Sequence, residues 1–461
     1  MNTRKRSLVL FFGVLLAVVG MCIGGSLASA ASPPGLDSMD RIAVSASPAA
    51  SAPSETLTGK DARDISETLK SPAAWWATKE EPVSAGSRQL RAEVFLVGGP
   101  FADFHPKKML HGNFLSRLGG DERSIVLDRD LAWQLFGTED AVGMEAETAD
   151  GSYTVTGVCD TDTSLLGLLS GAGTPAAYIA YGDSDAPVAG MEVSLPKSLP
   201  GKSLSDTKAA FGSQGKSASG FLFSDVSETA RLDAETAMLP EVLLACILTG
   251  IAVLWAKDII TGMIRSLRLY MEDRYLAECW RAVLWRIAKM ALVCAGAAGA
   301  VWGFWLLADF PFYLPGRFVP ASWIDMDFYK TLLQAQAQER IAAYGFPAQP
   351  WQMARDAGMQ IAGYMNMTAF AGLALFAAGL ALVRDAREER ISEKGLKPHW
   401  DLFMIWVFLT GSLGVAFSVC SAMGLTLRLP WELAALMGFG LTVWALRALY
   451  KEEITGFFAG Q

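Results

Sequence analysis

Six stretches of the chain are long and apolar enough to cross a lipid bilayer, and they constrain the fold more than any other feature. A helix needs about 20 mostly apolar residues to span the hydrocarbon core. The composition agrees, because 52% of the 461 residues are hydrophobic and only 19% are charged. The predicted spans are residues 8–27, 239–256, 288–308, 367–383, 402–423 and 431–449.

Lysine and arginine predict the orientation of these spans, since both are retained on the cytoplasmic side of a membrane. Three cations precede the first span, seven lie in residues 257–289 and five in residues 384–400, whereas residues 309–365 hold only four. This alternation predicts a multi-pass membrane protein with both termini in the cytoplasm. Residues 31–237, between spans one and two, are then extracytoplasmic.

The domain organisation follows from that topology and from local composition. Residues 31–58 are rich in Ala, Ser and Pro and offer little apolar surface, so we expect a flexible or extended stalk. The predicted domains are an N-terminal anchor (1–30), the stalk (31–58), an extracytoplasmic domain (59–237) and a membrane domain of five helices (238–461), with cytoplasmic segments at 257–287 and 384–401 and an outer segment at 309–365. Ala28, Ser29 and Ala30 also fit a signal-peptide cleavage site, which leaves open whether the first span is retained.

The extracytoplasmic domain is predicted to be mixed α/β. Residues 59–80 have a helical pattern, and residues 144–158 fit a hairpin that turns at Asp150 and Gly151. Further strands are predicted at residues 90–98, 124–127, 176–181 and 190–195. The domain has 17 Lys and Arg against 29 Asp and Glu over residues 31–237, a net charge of −12. This acidity argues against binding to phosphates, nucleic acids included.

An ordered series of short motifs lies in residues 125–158. Ile-Val-Leu-Asp at 125–128 is followed by Leu-Phe-Gly at 135–137, Asp140, Val-Gly at 142–143 and the hairpin. This order resembles the periplasmic core domain of MacB-like ABC transporter permeases, in which an FtsX-like membrane region follows. Asn113 and Ala141 depart from the family pattern, where arginine and proline are common.

The resemblance implies a permease-type subunit of an ABC transporter or mechanotransmission complex in the bacterial cell membrane. Such a subunit works with a separate ABC ATPase to export or extract a substrate, contacts membrane lipid, and forms a dimer with itself or with another permease. The family has four spans and this chain has six predicted ones, so an alternative stays open. That alternative is a membrane-anchored sensor or accessory subunit whose extracytoplasmic domain binds a ligand or partner without transport.

Catalytic and cofactor motifs are weak throughout the sequence. Gly-Lys-Ser occurs at 201–203 and at 215–217, but neither has the upstream glycine that a phosphate-binding loop needs. His105 and His111 are too few to hold zinc and are interpreted as surface residues. We therefore predict no enzymatic activity, no cofactor and no metal.

One candidate functional feature is a glycine face on the third span. Small residues at helical spacing allow another helix to approach closely. The glycines are Gly296, Gly299 and Gly303. Two partners are open for this face, another helix of the same chain or a second subunit across a dimer seam.

The second candidate feature is a basic segment between spans two and three, in which cations alternate with apolar residues. It is predicted to be an amphipathic helix at the inner membrane surface, either bound to anionic lipid or seated on an ATPase. Its characteristic cations are Arg265, Arg268, Arg274 and Arg281.

Overall fold

The computed structural model divides the chain into two compact units. A helical unit comprises Met1–Ala30, Ala234–Phe312 and Met359–Gln461, and a sheet unit comprises Ala31–Asp233 and Tyr313–Gly358. The structure describes residues 3–32, 36, 38–47, 52–115, 123–162, 164–170, 174–182, 184, 186–199, 201–217, 220–272, 276–308, 310, 313, 315, 318–320, 322, 324–346, 348–391, 399–427, 437, 438 and 440.

One sheet of ten strands organises the described part of the sheet unit. Its strands are β1 (Met39–Ala46), β2 (Ala73–Ala85), β3 (Arg88–Gly98), β4 (Met109–Gly112), β5 (Ser124–Asp128), β6 (Glu145–Thr148), β7 (Gly151–Cys159), β8 (Ala176–Ala180), β9 (Gly190–Pro196) and β10 (Phe221–Asp225). Their order is β10-β1-β9-β2-β3-β8-β5-β7-β4. Strand β6 pairs with β7 and, through Glu147 and Ser84, with β2, so six strands close into a ring.

Both faces of this sheet are buried, because successive side chains of a strand point to opposite sides. On β2, Trp75 belongs to one apolar cluster and Trp76 to the other; on β3, Leu96 and Phe95 divide in the same way. The parts of β2 and β3 that are buried on both faces, residues 73–77 and 94–97, are accordingly apolar at every position. The helices of the unit are α2 (Gly59–Leu69), α3 (Phe101–Phe104), α4 (Arg129–Phe136), α5 (Leu165–Leu169), α6 (Lys202–Ser213) and α9 (Met326–Ala343).

The motif residues at 125–158 are explained by local structure. Asp128 ends β5 and caps α4, since its carboxylate accepts a hydrogen bond from the Leu131 amide at 2.6 Å. The same carboxylate accepts from the Ala176 amide at 2.7 Å, which fixes the start of β8. Gly137 ends α4 with φ +75°, a left-handed conformation that glycine adopts readily. The predicted hairpin is confirmed as β6 and β7.

Two predictions near the start of the domain are wrong. Residues 39–46 of the supposed stalk form β1, which lies between β9 and β10 and is almost completely buried. The helix predicted over residues 59–80 ends at Leu69, and Trp75 and Trp76 lie on β2. In both cases non-local strand pairing outweighs the local pattern. In β1, the small Ala and Ser side chains fit a buried strand as well as a loop.

Five long helices make up the described part of the helical unit: α1 (Thr3–Ala31), α7 (Val226–Glu272), α8 (Leu276–Ala308), α10 (Pro350–Ile391) and α11 (His399–Ala422). Four contain segments long and apolar enough to cross a membrane, at Leu8–Ala31, Val226–Arg265, Val283–Leu306 and Pro350–Gly379. The fifth predicted span coincides with α11, whose described apolar part is the shorter Trp406–Ala422. The sixth, at 431–449, lies almost entirely outside the described residues.

The segments between the spans also differ from the predictions. The basic segment 257–287 is not a separate surface helix but the end of α7 and the start of α8. The outer segment 309–365 was assigned to the membrane domain, yet Tyr313–Gly358 belongs to the sheet unit. Helix α10 contributes Pro350–Gly358 to the sheet unit and Met359–Ile391 to the helical unit.

Candidate functional site

The sheet unit contains one end of each of three helices that carry a candidate membrane span. These are Ala31 at the end of α1, residues 226–233 at the start of α7 and residues 350–358 at the start of α10. Within the sheet unit, these ends are residues that also belong to candidate membrane spans. We therefore regard the contacts that hold them as the candidate functional site.

Asp40 on β1 holds the start of α7. Its carboxylate pairs with Arg231 at 3.2 Å, and it also accepts hydrogen bonds from the Ser198 amide at 3.0 Å and the Ser203 hydroxyl at 2.9 Å. The Arg231 guanidinium in turn lies over the ring of Tyr313, 5.5 Å from its centre. One carboxylate therefore connects α7 with the residues around α6.

The neighbouring Arg41 forms a buried ionic group with Glu192 on β9. Only 7% of Arg41 and 4% of Glu192 is exposed, and the guanidinium lies 3.6 Å from the carboxylate. Arg41 also donates to the Phe104 carbonyl at 3.2 Å, and its backbone N–H donates to the Ser227 hydroxyl of α7 at 2.6 Å. Burial raises the pKa of Glu192 to about 7, and the charge of Arg41 opposes that rise.

His105 lies beside this pair, with Nε2 3.7 Å from the Glu192 carboxylate. Burial, together with the charges of Arg41 and Lys107, lowers the pKa of His105 to about 3, so its imidazole is neutral at physiological pH. The interpretation of His105 as a surface residue is therefore wrong, since 9% of it is exposed. His111 is partly exposed, with Nδ1 4.0 Å from Asp140.

Trp351, in the first turn of α10, packs against the same group. Its ring centre lies 4.2 Å from that of His105, 4.8 Å from that of Trp76 at an interplanar angle of 80°, and 5.9 Å from that of Phe101. Phe95 lies at 6.2 Å. We call the set Trp76, Phe95, Phe101 and His105 the aromatic pocket.

Two more residues of α10 contact the sheet unit. Arg355 pairs with Asp233 of α7 at 3.1 Å. Gly358 approaches α5 and the end of α1 so closely that a Cβ atom there would lie 2.8 Å from Leu166 and 3.3 Å from the Cβ of Ala31. The start of α10 therefore contacts the other two helix ends as well as the aromatic pocket.

The glycines predicted as a packing face on α8 meet open space. No atom in the described part of the chain lies within 4 Å of the position that a Cβ would occupy at Gly296, Gly299 or Gly303. Beside them, α7 and α8 enclose an apolar groove of about 810 Å³, lined by residues such as Val253, Ile260, Ala298 and Trp302. The described chain therefore offers this face no packing partner.

A different glycine face, on α1 and α10, does bring two helices together. A Cβ at Gly13 would lie 2.4 Å from the Phe376 amide nitrogen, and one at Gly372 would lie 2.3 Å from the Ala17 amide nitrogen. The seven-residue spacing of Gly13 to Gly20 and of Gly372 to Gly379 was the sequence signal for this contact, which the sequence analysis missed.

The predicted basic cations lie on two different helices. Arg265 and Arg268 are exposed on α7 and Arg281 is exposed on α8, where its guanidinium lies over the ring of Trp280, 5.4 Å from its centre. Arg274 lies outside the described residues. Among the residues that the structure describes, no group of three or more His, Cys, Asp or Glu side chains is arranged to hold a metal ion.

Part of the chain matches a known domain family. Residues 7–201 match the family model of the MacB-like periplasmic core domain. This part of the chain is a MacB-like periplasmic core domain. The match contains α1, the aromatic pocket, Arg41 and Glu192, and it ends before α7 and α10. The MacB-like domain and the four apolar helices fit an integral membrane protein with an extracytoplasmic domain.

Two solved structures also align with part of this chain. The periplasmic region of MacB from Actinobacillus actinomycetemcomitans is 14% identical, with 41% of this chain and 89% of that one covered and a TM-score of 0.33. The extracellular domain of the noncanonic ABC-type transporter YknZ from Gram-positive bacteria is 12% identical, with 40% and 99% covered and a TM-score of 0.32. No curated protein sequence matches the chain.

Proposed function

We propose that the chain is a permease-type membrane subunit of an ABC transporter or mechanotransmission complex. In this role it couples ATP hydrolysis by a separate ABC ATPase to movement of the MacB-like domain, and so exports or extracts a substrate. The observation that carries the proposal is the MacB-like periplasmic core domain at residues 7–201, since the related protein YknZ is described as an ABC-type transporter.

The proposal includes a topology and an assembly. The chain crosses the bacterial cell membrane six times with both termini in the cytoplasm and residues 31–237 outside, and it works as a dimer with itself or with another permease. Helix length supports the coupling role. At about 1.5 Å per residue the 47 residues of α7 measure about 70 Å, more than twice the roughly 30 Å of the hydrocarbon core. Movement of such a helix at one end is transmitted to the other.

The end of α7 and the start of α8 are the proposed contact with the ATPase. Arg265, Arg268 and Arg281 are exposed there and offer positive charge to an acidic partner surface. Lys330 on α9 is an exposed cation of the sheet unit and serves as a matched control.

The test is copurification of the tagged full-length chain from native membranes. We expect an ABC ATPase to copurify and its hydrolysis rate to change when the chain is added. Reversal of two charges, in the variant Arg265→Glu/Arg268→Glu, should weaken that association, whereas Lys330→Glu should not. If no ATPase copurifies and candidate ATPases hydrolyse ATP at an unchanged rate, the permease role fails and an accessory or sensor role replaces it.

A further inference from the structure

The aromatic pocket and the side chain that fills it come from different parts of the protein. The pocket residues and Glu192 all lie within the MacB-like domain match at residues 7–201. Trp351 lies outside that match, at the start of the candidate membrane span Pro350–Gly379. The tryptophan that fills the pocket therefore lies outside the matched domain, about 150 residues after its end.

The start of α10 is built to present Trp351 in a fixed orientation. Pro350 occupies the first helical position, where its fixed φ favours helix initiation and its missing N–H costs no hydrogen bond. The Gln349 N–H just before it donates to the Gln352 side chain at 3.1 Å, which closes the first turn. Trp351 thus projects from an ordered helix end, and Arg355, one turn later, pairs with Asp233.

Some buried polar atoms around the aromatic pocket lack hydrogen bonds when Trp351 fills it. Four buried polar atoms of these residues have no hydrogen-bond partner among the residues that the structure describes, namely Trp76 Nε1, His105 Nε2, Glu192 Oε2 and Trp351 Nε1. The nearby Trp351 indole N–H lowers the pKa of Glu192 and so favours its ionised form. Even so, Trp351 Nε1 and Glu192 Oε2 do not form a hydrogen bond of normal geometry. Leaving buried polar atoms without a hydrogen bond is unfavourable, and water would supply those hydrogen bonds.

Opposing contributions of this kind are typical of a contact that can open. The edge-on and tilted ring contacts of Trp351 and the Arg355–Asp233 pair favour the closed arrangement, whereas hydration of the buried polar atoms favours the open one. We propose that Trp351 and Arg355 form a latch that fastens the start of α10 to the MacB-like domain, and that the latch opens by withdrawal of Trp351 and hydration of Glu192 and His105. The latch requires no ATPase, so it goes beyond the proposed function and is tested separately from it.

Opening of the latch has a distinctive dependence on pH. Hydration returns the Glu192 pKa from about 7 toward its ordinary range, so Glu192 favours the open state increasingly as pH rises through about 7. It also returns the His105 pKa from about 3 toward its ordinary range, so His105 favours the open state as pH falls. The other charged groups that act on them are Arg41 and Arg355 for Glu192, and Arg41 and Lys107 for His105. The two effects largely cancel in the native chain.

Hydrogen–deuterium exchange of the full-length protein in nanodiscs measures the opening directly. In Trp351→Ala we expect amide exchange of residues 350–358 to rise by at least about tenfold, because the ring contacts are lost. Exchange in β5 and β7 should stay unchanged. Trp351→Phe should show an intermediate effect, and Leu333→Ala, on the exposed surface of α9, should show none.

Two outcomes of this first experiment overturn the latch. If Trp351→Ala leaves residues 350–358 unchanged, Trp351 does not fasten α10. If exchange rises equally in β5 and β7, Trp351 is an ordinary core residue whose removal unfolds the domain.

A pair of variants tests the hydration of the pocket. Protection factors corrected for intrinsic exchange are compared at about pH 5 and about pH 8, which bracket the ordinary histidine pKa. In His105→Gln only the Glu192 effect remains, and protection of residues 350–358 should fall toward pH 8. In Glu192→Gln only the His105 effect remains, and protection should fall toward pH 5. If protection of residues 350–358 changes in the same direction with pH in both variants, or does not change with pH in either, the latch does not open to water.

Discussion

Helices α8 and α10 both carry glycines at helical spacing, but only those of α10 meet another helix. At Gly372 of α10 a Cβ would lie 2.3 Å from a backbone atom of α1, whereas at Gly299 of α8 nothing in the described chain lies within 4 Å. Correspondingly, a third of the residues in the span of α10 are buried against 6% in the span of α8. Glycine spacing therefore identifies a surface that permits close approach but does not say whether a partner is present.

The largest expected effect comes from filling the α1–α10 contact. In Gly372→Val the new side chain would overlap the Ala17 backbone, which cannot rotate away, so the two helices must separate. We expect destabilisation at or above the roughly 1–3 kcal/mol typical of overpacked cores. The measurement is thermal unfolding of the full-length protein in detergent. Gly363→Val is the matched control, because it makes the same change on an exposed part of α10 where a Cβ meets nothing within 4 Å. Equal melting of the two variants would contradict the close contact.

An intermediate effect is expected where the glycine meets side chains instead of backbone. In Gly358→Ala the added methyl group would lie 2.8 Å from the end of Leu166 and 3.3 Å from Ala31, and the Leu166 side chain can move aside. We expect a loss of about 1 kcal/mol relative to Gly363→Ala, which shares the gain in helix propensity. Thermal unfolding again provides the comparison. A loss as large as that of Gly372→Val would mean that the start of α10 is held as rigidly as its membrane part.

The same contrast explains how far the sequence predicted the fold. Local signals were sufficient for β3 and for the hairpin of β6 and β7, because each is determined by residues within a few positions. Strand β1 was missed, since its small residues are buried only by pairing with β9 and β10, about 150 to 180 residues later in the sequence.

The candidate site was the part least accessible from the sequence. Trp351 packs against His105 and Trp76, and no local pattern connects a helix start at residue 350 with residues more than 150 positions earlier. The basic segment was predicted as one amphipathic helix because its cations alternate with apolar residues, yet the described cations divide between α7 and α8. Contacts between two helices, or between a pocket and the side chain that fills it, depend on tertiary structure. The periodicity of a sequence segment describes only one of the two surfaces in such a contact.

The smallest effect on stability is expected at the open glycine face. Gly299→Val should leave the melting temperature close to that of the native chain, because the new side chain points into space that no described atom of the chain occupies. Its informative readout is assembly, measured by chemical crosslinking in nanodiscs. If a second subunit packs on α8 in the proposed dimer, the valine side chain prevents the close approach that glycine permits, and the crosslinked dimer should decrease. Gly250→Val, at another open position on α7, controls for the substitution itself. If the dimer persists with Gly299→Val at the level of this control, lipid covers the α8 face, and the dimer interface lies on a different helix.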